Sequence, residues 1–415
     1  MTSTVHVIGA GLAGLAAAIR LCQRGKGVVL HEAAGQAGGR CRSYHDPVLD
    51  MVIDNGNHLL LSANDAALSY LGTIGAAAKL VGPAQAEFAF VDVASGKRWT
   101  LRINDGRLPW WIFDEQRRVP GTRAADYLSI FRLLWPGSER TICETVKCAG
   151  PLYDRLARPL WLAALNTDPK EASARLAAAV TRETLAKGGK ACRPLFAPEG
   201  LSQAFVESAL SFLREHQAKV EFSHRLRALE LGQDRVTALD FGDDGRVAVA
   251  AGDSVILATP PAVSADLVPG LKTPEKFRAI VNAHFRIEPP PGLAPILGII
   301  NGTIEWLFSF KHRLSVTISC ADRLLEVPRE TLAGQIWQEV AAVAGLTGAM
   351  PPWQIVRERR ATFAATPAEN AKRPGAETAW KNLFLAGDWT NTGLPATIEG
   401  AIRSGNRAAG LVSAT

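Results

Sequence analysis

The sequence predicts an α/β protein in which a dinucleotide-binding domain, interrupted along the chain, is joined to a second domain of mixed α and β structure. The chain opens with a strand, a glycine-rich turn, a helix and a second strand, within residues 5–32. Another strand, followed by a glycine-rich helix start, lies near the end, within residues 383–405. The length of 415 residues favours two joined domains, because single cores stop growing at roughly 250–300 residues.

The N-terminal turn has the spacing G-x-G-x-x-G, formed by Gly9, Gly11 and Gly14. Between a strand and a helix, the first glycine permits a tight turn and the second admits a pyrophosphate close to the backbone. The third glycine packs the helix on the strand. Glu32 ends the second strand, where a carboxylate accepts hydrogen bonds from ribose hydroxyls. These residues predict a dinucleotide site.

A second glycine turn follows Glu32 closely and contains Gly39 and Arg40. A tight turn with a basic side chain suits a longer ligand whose pyrophosphate must be spanned. The turn therefore favours FAD over NAD as the dinucleotide.

The C-terminal motif places Gly387 and Asp388 at the end of a strand, and Thr397 and Ile398 at the start of a helix of small residues. The start of such a helix presents backbone N–H groups and the positive end of the helix dipole. Both would stabilise negative charge on a reduced flavin. This motif is a second indication of FAD.

The intervening chain predicts that the nucleotide domain is left and re-entered. Helical segments rich in tryptophan and arginine fill much of residues 83–185, and strand-like segments at 220–231, 236–241 and 254–258 indicate that the first sheet resumes. We expect the FAD-binding domain to comprise residues 1–82, 186–283 and 378–415. The substrate-binding domain would comprise residues 83–185 and 284–377.

Composition narrows the function classes. The net charge of +6 would suit nucleic acid, an anionic membrane or an acidic substrate, but no nucleic-acid-binding motif accompanies it, so no nucleic acid partner is expected. No export signal and no apolar run of roughly 18 residues is present, which predicts a cytoplasmic protein. The six cysteines form no C-x-x-C pair, so we expect reduced thiols and no metal site.

The paired end motifs resemble those of the amine oxidase and phytoene desaturase superfamily of flavoproteins. Within it, the chain is similar to the squalene-associated branch, the hydroxysqualene dehydroxylases, over nearly its whole length. The segments that carry this similarity are DNGNH at 54–58, LAALNT at 162–167, WLF at 306–308, RRATF at 359–363 and GDWT at 387–390. Asn57 departs from the family, which has a glutamine there.

The resemblance implies a Rossmann-like, discontinuous FAD-binding domain of the GR2 type with an α+β substrate-binding domain. It also implies reductive removal of the hydroxyl group of hydroxysqualene, giving squalene for hopanoid synthesis. The partners would be a long-chain isoprenoid substrate and an electron donor that the sequence does not identify. The resemblance assigns the contacts with the ADP half of FAD, by position, to Gly9, Gly11, Gly14, Glu32, Gly39, Arg40 and Leu226. It assigns the contacts with the ribityl chain and flavin ring to Gly387, Asp388, Thr397 and Ile398.

Loss of an allylic hydroxyl needs an acid, and Asp54 and His58 are the candidates because their segment is expected to pass near the flavin. The alternative is that both side chains only fix a loop. A hydrocarbon substrate also needs an apolar tunnel. The candidate lining residues are Leu297, Ile299, Trp306, Phe308 and Phe131.

The sequence also predicts a surface of basic and aromatic residues that makes a peripheral contact with a membrane. Ordinary solvated arginines are the alternative explanation. Its residues are Trp110, Trp111, Arg117, Arg118, Arg123 and Arg132. Two other functions stay open: a carotenoid desaturase of the phytoene type, and a non-catalytic isoprenoid-binding protein that keeps FAD for stability.

Overall fold

The structure, a computed structural model, describes residues 3–137 and 139–412. Its strands are β1 (Thr4–Ile8), β2 (Gly27–His31), β3 (Ser43–Asp46), β4 (Met51–Asp54), β5 (Leu60–Leu61), β6 (Ala86–Asp92), β7 (Arg98–Ile103), β8 (Pro194–Leu195), β9 (Lys219–Glu221), β10 (Ala228–Leu231), β11 (Val236–Asp240), β12 (Arg246–Ala248), β13 (Ser254–Leu257), β14 (Phe277–Arg286), β15 (Ile296–Ile300), β16 (Trp306–Phe310), β17 (Arg313–Ile318), β18 (Trp353–Phe363) and β19 (Leu383–Leu385). Its α-helices are α1 (Leu12–Cys22), α2 (Asp65–Thr73), α3 (Leu128–Phe131), α4 (Ile142–Thr145), α5 (Arg158–Leu165), α6 (Ala174–Glu183), α7 (Ser208–Glu215), α8 (Pro261–Leu267), α9 (Arg329–Ala344), α10 (Pro367–Ala371) and α11 (Ile398–Val412).

A five-stranded parallel sheet brings the two ends of the chain together. Its strand order is β19-β13-β1-β2-β9, so three separate stretches of the chain build it. The strands are short apolar runs that are largely buried, as expected for a parallel sheet covered by helices. The predicted strand–turn–helix–strand opening and the return of the chain to this sheet are both confirmed.

One part of that return was predicted wrongly. Residues 220–231 and 236–241 were expected to extend the first sheet, but only β9 does so. The strands β10, β11 and β12 pair antiparallel in a separate three-stranded sheet. The chain breaks after β9 at Ser223, whose positive φ of 54° ends the extended run.

A seven-stranded sheet forms the second layer of structure. Its order is β18-β14-β17-β16-β15-β6-β7; the β15–β6 pair is parallel and the other pairs are antiparallel. Both segments assigned to the substrate-binding domain contribute strands to it. Strand β14 runs through the expected border between residues 283 and 284, and the division into domains stays a prediction.

The two faces of this sheet separate residues that the sequence grouped as one tunnel lining. Leu297 and Ile299 pack with Trp337 of α9 on one face. Trp306 and Phe308 pack with other aromatic side chains on the opposite face. Side chains alternate between faces along a strand, and Phe308 pairs with Ile296 rather than with Leu297. The single lining of these four residues was therefore a wrong prediction.

The expectation of six reduced thiols is also wrong for two of them, because Cys143 and Cys148 form a disulfide with their Cα atoms 5.3 Å apart. The helix α4 ends between them, so the chain turns back and the two side chains meet. The other cysteines, at 22, 41, 192 and 320, are free thiols.

Candidate functional site

The turn between β1 and α1 has the geometry that its three glycines predict. Gly9 has a φ of +104°, and a Cβ atom there would lie 2.7 Å from the carbonyl oxygen of Ala258. A Cβ atom at Gly14 would lie 1.8 Å from the carbonyl oxygen of Gly9. At Gly11, by contrast, a Cβ atom would meet nothing within 4 Å. Gly9 and Gly14 are thus needed by the fold, whereas the space at Gly11 is open for a ligand.

The start of α1 faces the same space. Gly11 precedes the helix in an extended conformation and supplies no side-chain cap to its first turn, so an anion can accept hydrogen bonds there. Glu32 lies beside it: its carboxylate accepts the N–H of Ala10 at 2.7 Å and that of Ala34 at 2.8 Å. A carboxylate has about four acceptor positions, which leaves capacity for ribose hydroxyls.

The segment after β9 is bonded to the backbone at Glu32. The N–H groups of Ser223 and His224 donate to the carbonyl oxygens of Ala34 and Glu32, at 3.0 and 2.9 Å. These bonds place Leu226, which is buried, in a loop that runs beside the end of β2. The structure thus brings Leu226 to the region of Glu32, from which it is distant in sequence.

The motifs from the two ends of the chain meet directly. The guanidinium of Arg40 donates to Asp388 Oδ1 at 2.7 Å and also to the carbonyl oxygen of Ala361. The Asp388 carboxylate raises the pKa of Arg40. The Asp388 side chain is 9% exposed and that of Arg40 is 44% exposed, so this ion pair lies at an opening. A cradle formed from both ends can therefore hold one ligand.

The C-terminal motif is held by α11. The N–H of Gly387 donates to Ser404 Oγ at 3.0 Å, and a Cβ atom at Gly387 would lie 2.4 Å from Trp389 Nε1. Thr397 precedes α11 and its hydroxyl oxygen accepts the N–H of Gly400 at 3.0 Å. This cap fixes the start of the helix at Ile398, next to the strand end that carries Asp388.

Asp54 is buried, and both oxygens of its carboxylate contact neighbouring side chains or backbone. Its Oδ1 accepts the hydroxyl of Ser43 at 2.6 Å and the N–H of Leu201 at 2.8 Å, and its Oδ2 lies 3.5 Å from the guanidinium of Arg313. Arg313 is itself buried, and its burial lowers its pKa. These contacts favour a role for Asp54 in fixing the 54–58 segment.

His58 and Asn57 complete that segment. Burial lowers the pKa of His58 to about 4, so this imidazole is neutral near pH 7. The amide nitrogen of Asn57 donates to Thr317 Oγ1 at 3.1 Å and its amide oxygen accepts the hydroxyl of Ser315 at 2.9 Å. Asn57 thus ties the segment to the seven-stranded sheet.

Glu305 is an ionisable residue that the sequence analysis did not select. Burial raises the pKa of its carboxyl group to about 7, although the N–H of Ser319 donates to it at 2.9 Å and lowers the pKa. Glu305 directly precedes Trp306, which pairs with Thr317, the residue bonded to Asn57. The neighbouring WLF motif could have drawn attention to this position, but nothing in the sequence indicates that the carboxyl group is shielded from water.

Comparisons with known proteins agree with this geometry. The family model of flavin-containing amine oxidoreductases matches residues 12–413. A hydroxysqualene dehydroxylase of Rhodopseudomonas palustris is 59% identical over 100% of this chain and 99% of its own. One of Sinorhizobium fredii is 55% identical over 99% of this chain and 98% of its own. A putrescine oxidase variant has the same fold, with a TM-score of 0.72 at 16% identity and full coverage of both chains.

These matches confirm the expected α/β fold with a Rossmann-like FAD-binding region, and with it FAD as the cofactor. The residues present fit that cofactor. The open space at Gly11 and the uncapped start of α1 lie beside Gly38, which pairs with Gly11 and precedes the turn of Arg40, the partner of Asp388. The chain is an FAD-dependent oxidoreductase that belongs to the flavin-containing amine oxidoreductase family and, within it, to the hydroxysqualene dehydroxylases.

Proposed function

We propose that the protein catalyses the FAD-dependent reductive dehydroxylation of hydroxysqualene to squalene, within squalene and hopanoid biosynthesis. The observation that carries this proposal is the full-length similarity to relatives named for that activity. The substrate is a long-chain isoprenoid. An electron donor, still to be identified, must reduce the cofactor between turnovers.

The cofactor contacts are proposed residue by residue. The turn of Gly9, Gly11 and Gly14, together with Glu32, would hold the ADP half with its pyrophosphate at the start of α1. Further contacts to that half would come from Gly39, Arg40 and Leu226. The ribityl chain and flavin ring would lie against Gly387, Asp388, Thr397 and Ile398. The hydrogen bonds that join Arg40 to Asp388, and the loop of Leu226 to Glu32, support this grouping.

When bound, the reduced cofactor supplies a hydride. In the reaction the allylic C–O bond breaks, a C–H bond forms at the carbon chain and the hydroxyl leaves as water after gaining a proton. The protein must therefore protonate the leaving oxygen and exclude other water. A positioned acid contributes about 10²–10⁴-fold to such a step.

Asp54 and His58 remain proposed members of this machinery. The contacts of Asp54 with Ser43, Leu201 and Arg313 support a positioning role for it, and the neutral imidazole of His58 is a hydrogen-bond donor rather than a strong acid near pH 7. We propose Glu305 as a candidate proton donor. It directly precedes Trp306, which pairs with Thr317, the partner of Asn57, and desolvation raises the pKa of its carboxyl group to about 7.

A direct test of the function begins with the purified holoprotein, whose flavin is reduced anaerobically before hydroxysqualene is added. Reoxidation of the flavin with one squalene formed per flavin supports the proposal. Desaturation of a polyene precursor by the oxidised holoprotein, without squalene formation, would instead support a carotenoid desaturase. Binding of hydroxysqualene without any turnover would support the non-catalytic isoprenoid-binding protein.

We further propose that a surface within residues 108–135 docks on the inner face of the cytoplasmic membrane. Its apolar side chains are unusually exposed: Trp135 is 80% exposed and Trp110 is 65% exposed. Arg123 and Arg132 are exposed beside them, and this combination suits an interfacial contact with anionic lipid. None of the helices within residues 3–137 and 139–412 is long and apolar enough to cross a membrane.

Two residues expected on this surface do not lie on it. Trp111 is buried and packs edge-on against Tyr127. The side chain of Arg118 is 13% exposed and pairs with Glu115. Successive residues of the short helical turn at Trp110–Phe113 point to different sides, so the pair Trp110-Trp111 is divided between surface and core.

Vesicle co-sedimentation tests the docking surface. The change of both Trp110 and Trp135 to Ala is expected to reduce binding to vesicles that contain phosphatidylglycerol, with activity on detergent-dispersed substrate retained. The matched control is Val48→Ala, which removes a 62% exposed apolar side chain of another segment. Equal binding of the double variant and the wild type would contradict the proposed docking.

A further inference from the structure

We propose that His31, Glu221 and His224 form a binding site for one divalent transition-metal cation of the Zn²⁺ class, beside the adenosine end of the cofactor site. The ligand atoms converge closely. The Nδ1 atoms of the two imidazoles lie 2.9 Å apart, and each lies 3.0 Å from Glu221 Oε2. A point about 2.1 Å from all three atoms, the usual ligand distance of zinc, lies about 1.2 Å outside their plane, and tetrahedral ligation requires the three atoms to move apart by about 0.4 Å more.

Protons and a cation would join His31, Glu221 and His224 in different ways. Each neutral imidazole carries one N–H, and a carboxylate only accepts. A single proton shared by the two Nδ1 atoms leaves Glu221 Oε2 facing a nitrogen lone pair. A proton on each Nδ1 lets both imidazoles donate to Glu221 Oε2, which has two lone pairs, but it places the two N–H groups side by side with their nitrogens 2.9 Å apart. One cation satisfies all three lone pairs of His31, Glu221 and His224 together.

The groups around the triangle hold it in shape. His31 lies in β2 beside Glu221 of β9, and the two strands pair in register. The imidazole of His224 stacks on Phe241 with the ring centroids 3.7 Å apart. His6 Nδ1 lies 3.2 Å from His31 Nε2, so that a metal-bound His31 can donate its other N–H to His6, as ligating histidines usually do.

The remaining side of the triangle is accessible. The side chain of Glu221 is 24% exposed and that of His224 is 14% exposed, while His31 is buried. Three protein ligands with a fourth position open to water form a recognised zinc arrangement. Lys219 contacts the other oxygen, Glu221 Oε1, which leaves Oε2 for the cation.

The site would tie together elements that carry cofactor contacts. His31 directly precedes Glu32, and the N–H of His224 donates to the Glu32 carbonyl oxygen at 2.9 Å. A bound cation would join the end of β2 to the loop that continues to Leu226. Its role is therefore structural: it holds the adenosine-facing loop rather than contributing to the reaction.

Chelator-treated holoprotein, titrated calorimetrically with ZnCl₂, provides the test. We expect one equivalent to bind, and we expect His224→Ala and Glu221→Ala each to weaken binding roughly tenfold or more. His45→Ala is the matched control, because His45 and Asp50 form an exposed His–carboxylate pair elsewhere, with Nε2 and Oδ1 3.3 Å apart. Unchanged affinity in both site variants, or no binding to the wild type, would overturn the proposal.

A second measurement uses the wild type alone, so it does not depend on the folding of variants. Co²⁺ added to the chelator-treated protein should give the strong visible bands of a four-coordinate site, and Zn²⁺ should remove them. Weak bands typical of octahedral Co²⁺ would contradict the proposed ligand set. Neither readout involves squalene formation, so failure of this proposal is distinguishable from failure of the proposed activity.

Discussion

Substitution of alanine at Gly11 and at Gly14 should separate the needs of the cofactor from the needs of the fold. The two positions lie three residues apart in one turn, and both changes add a single methyl group. At Gly14 that group would lie 1.8 Å from a backbone oxygen of Gly9, and at Gly11 it would meet nothing within 4 Å. The first change should therefore damage the protein itself, and the second should damage only ligand binding.

The magnitudes follow from these contacts. Alanine inside a helix is favoured over glycine by about 1 kcal/mol, but the contact of Gly14 with backbone cannot be relieved by a rotamer change. Overpacking of this kind costs about 1–3 kcal/mol, so we expect a net loss of stability for Gly14→Ala. Gly11 has φ −72° and ψ 176°, which alanine adopts freely, and Gly11→Ala should leave the stability of the apoprotein unchanged or raise it by about 0.4–1 kcal/mol.

Two assays read the two effects. Urea unfolding of the apoproteins gives the free energy of unfolding, and titration with FAD, followed by quenching of flavin fluorescence, gives the affinity. Gly11→Ala should bind FAD roughly tenfold more weakly or worse, a loss of about 1.4 kcal/mol. Normal FAD affinity of Gly11→Ala would refute the position assigned to the pyrophosphate. An apoprotein with Gly14→Ala that is as stable as the wild type would refute the packing argument.

Three further changes test the ionisable residues. Glu305→Gln should lower kcat by about 10²–10⁴-fold. It should also remove the fall in rate above pH 7 that loss of the acid form causes in the wild type. If the variant keeps that fall in rate, the proton donor is another residue. Burial raises the Glu305 pKa from 4.5 to about 7, so the unfolded chain loses this proton at a lower pH than the folded chain does. The free energy of unfolding of the wild type should therefore fall as the pH rises from about 4.5 to about 7. This fall should be absent in Glu305→Gln. Asp54→Asn should lower the free energy of unfolding by about 3–5 kcal/mol, because it leaves the Arg313 cation buried without its partner. Adding Arg313→Met to that variant should restore part of the lost free energy. Unfolding curves that show no recovery would contradict the pairing. Glu399→Gln should lower the free energy of unfolding by weakening the attachment of α2 to α11, since this buried carboxylate accepts the N–H groups of Ala66 and Ala67. A free energy of unfolding equal to that of the wild type would argue against this contact.

The parts of the site that the sequence predicted are those in which close backbone contacts exclude a side chain. Gly9 and Gly14 are needed because no side chain fits against the neighbouring carbonyl oxygens. Such positions leave a fixed spacing of glycines that is visible without a structure. The pairing of Arg40 with Asp388 was not predicted, because 348 residues separate the two side chains.

The parts that failed depend on which face of an element a residue occupies. Trp110 and Trp111 are adjacent in sequence, yet one is 65% exposed and the other 6%. Leu297 and Trp306 lie in neighbouring strands, yet they face opposite sides of the sheet. A shift of one residue in strand register exchanges the two faces, and apolar runs such as those of β15 and β16 carry no alternation that would fix the register.

Burial explains why the ionisable residues were ranked differently by sequence and by structure. Asp54 was expected to act because its segment was predicted to lie near the flavin, but its carboxylate is occupied by Ser43, Leu201 and Arg313, the last of which lies 259 positions away. Glu305 forms no ion pair with the residues that the structure describes, and desolvation raises its pKa to about 7 although Arg158 and Arg323 lower it. The pKa of a carboxyl group depends on burial and on its neighbours in space, and neither can be read from the residues that flank Glu305 in the sequence. A search for proton donors in related chains should therefore begin with buried carboxyl groups that lack a paired cation, rather than with the acidic residue closest in sequence to a cofactor motif.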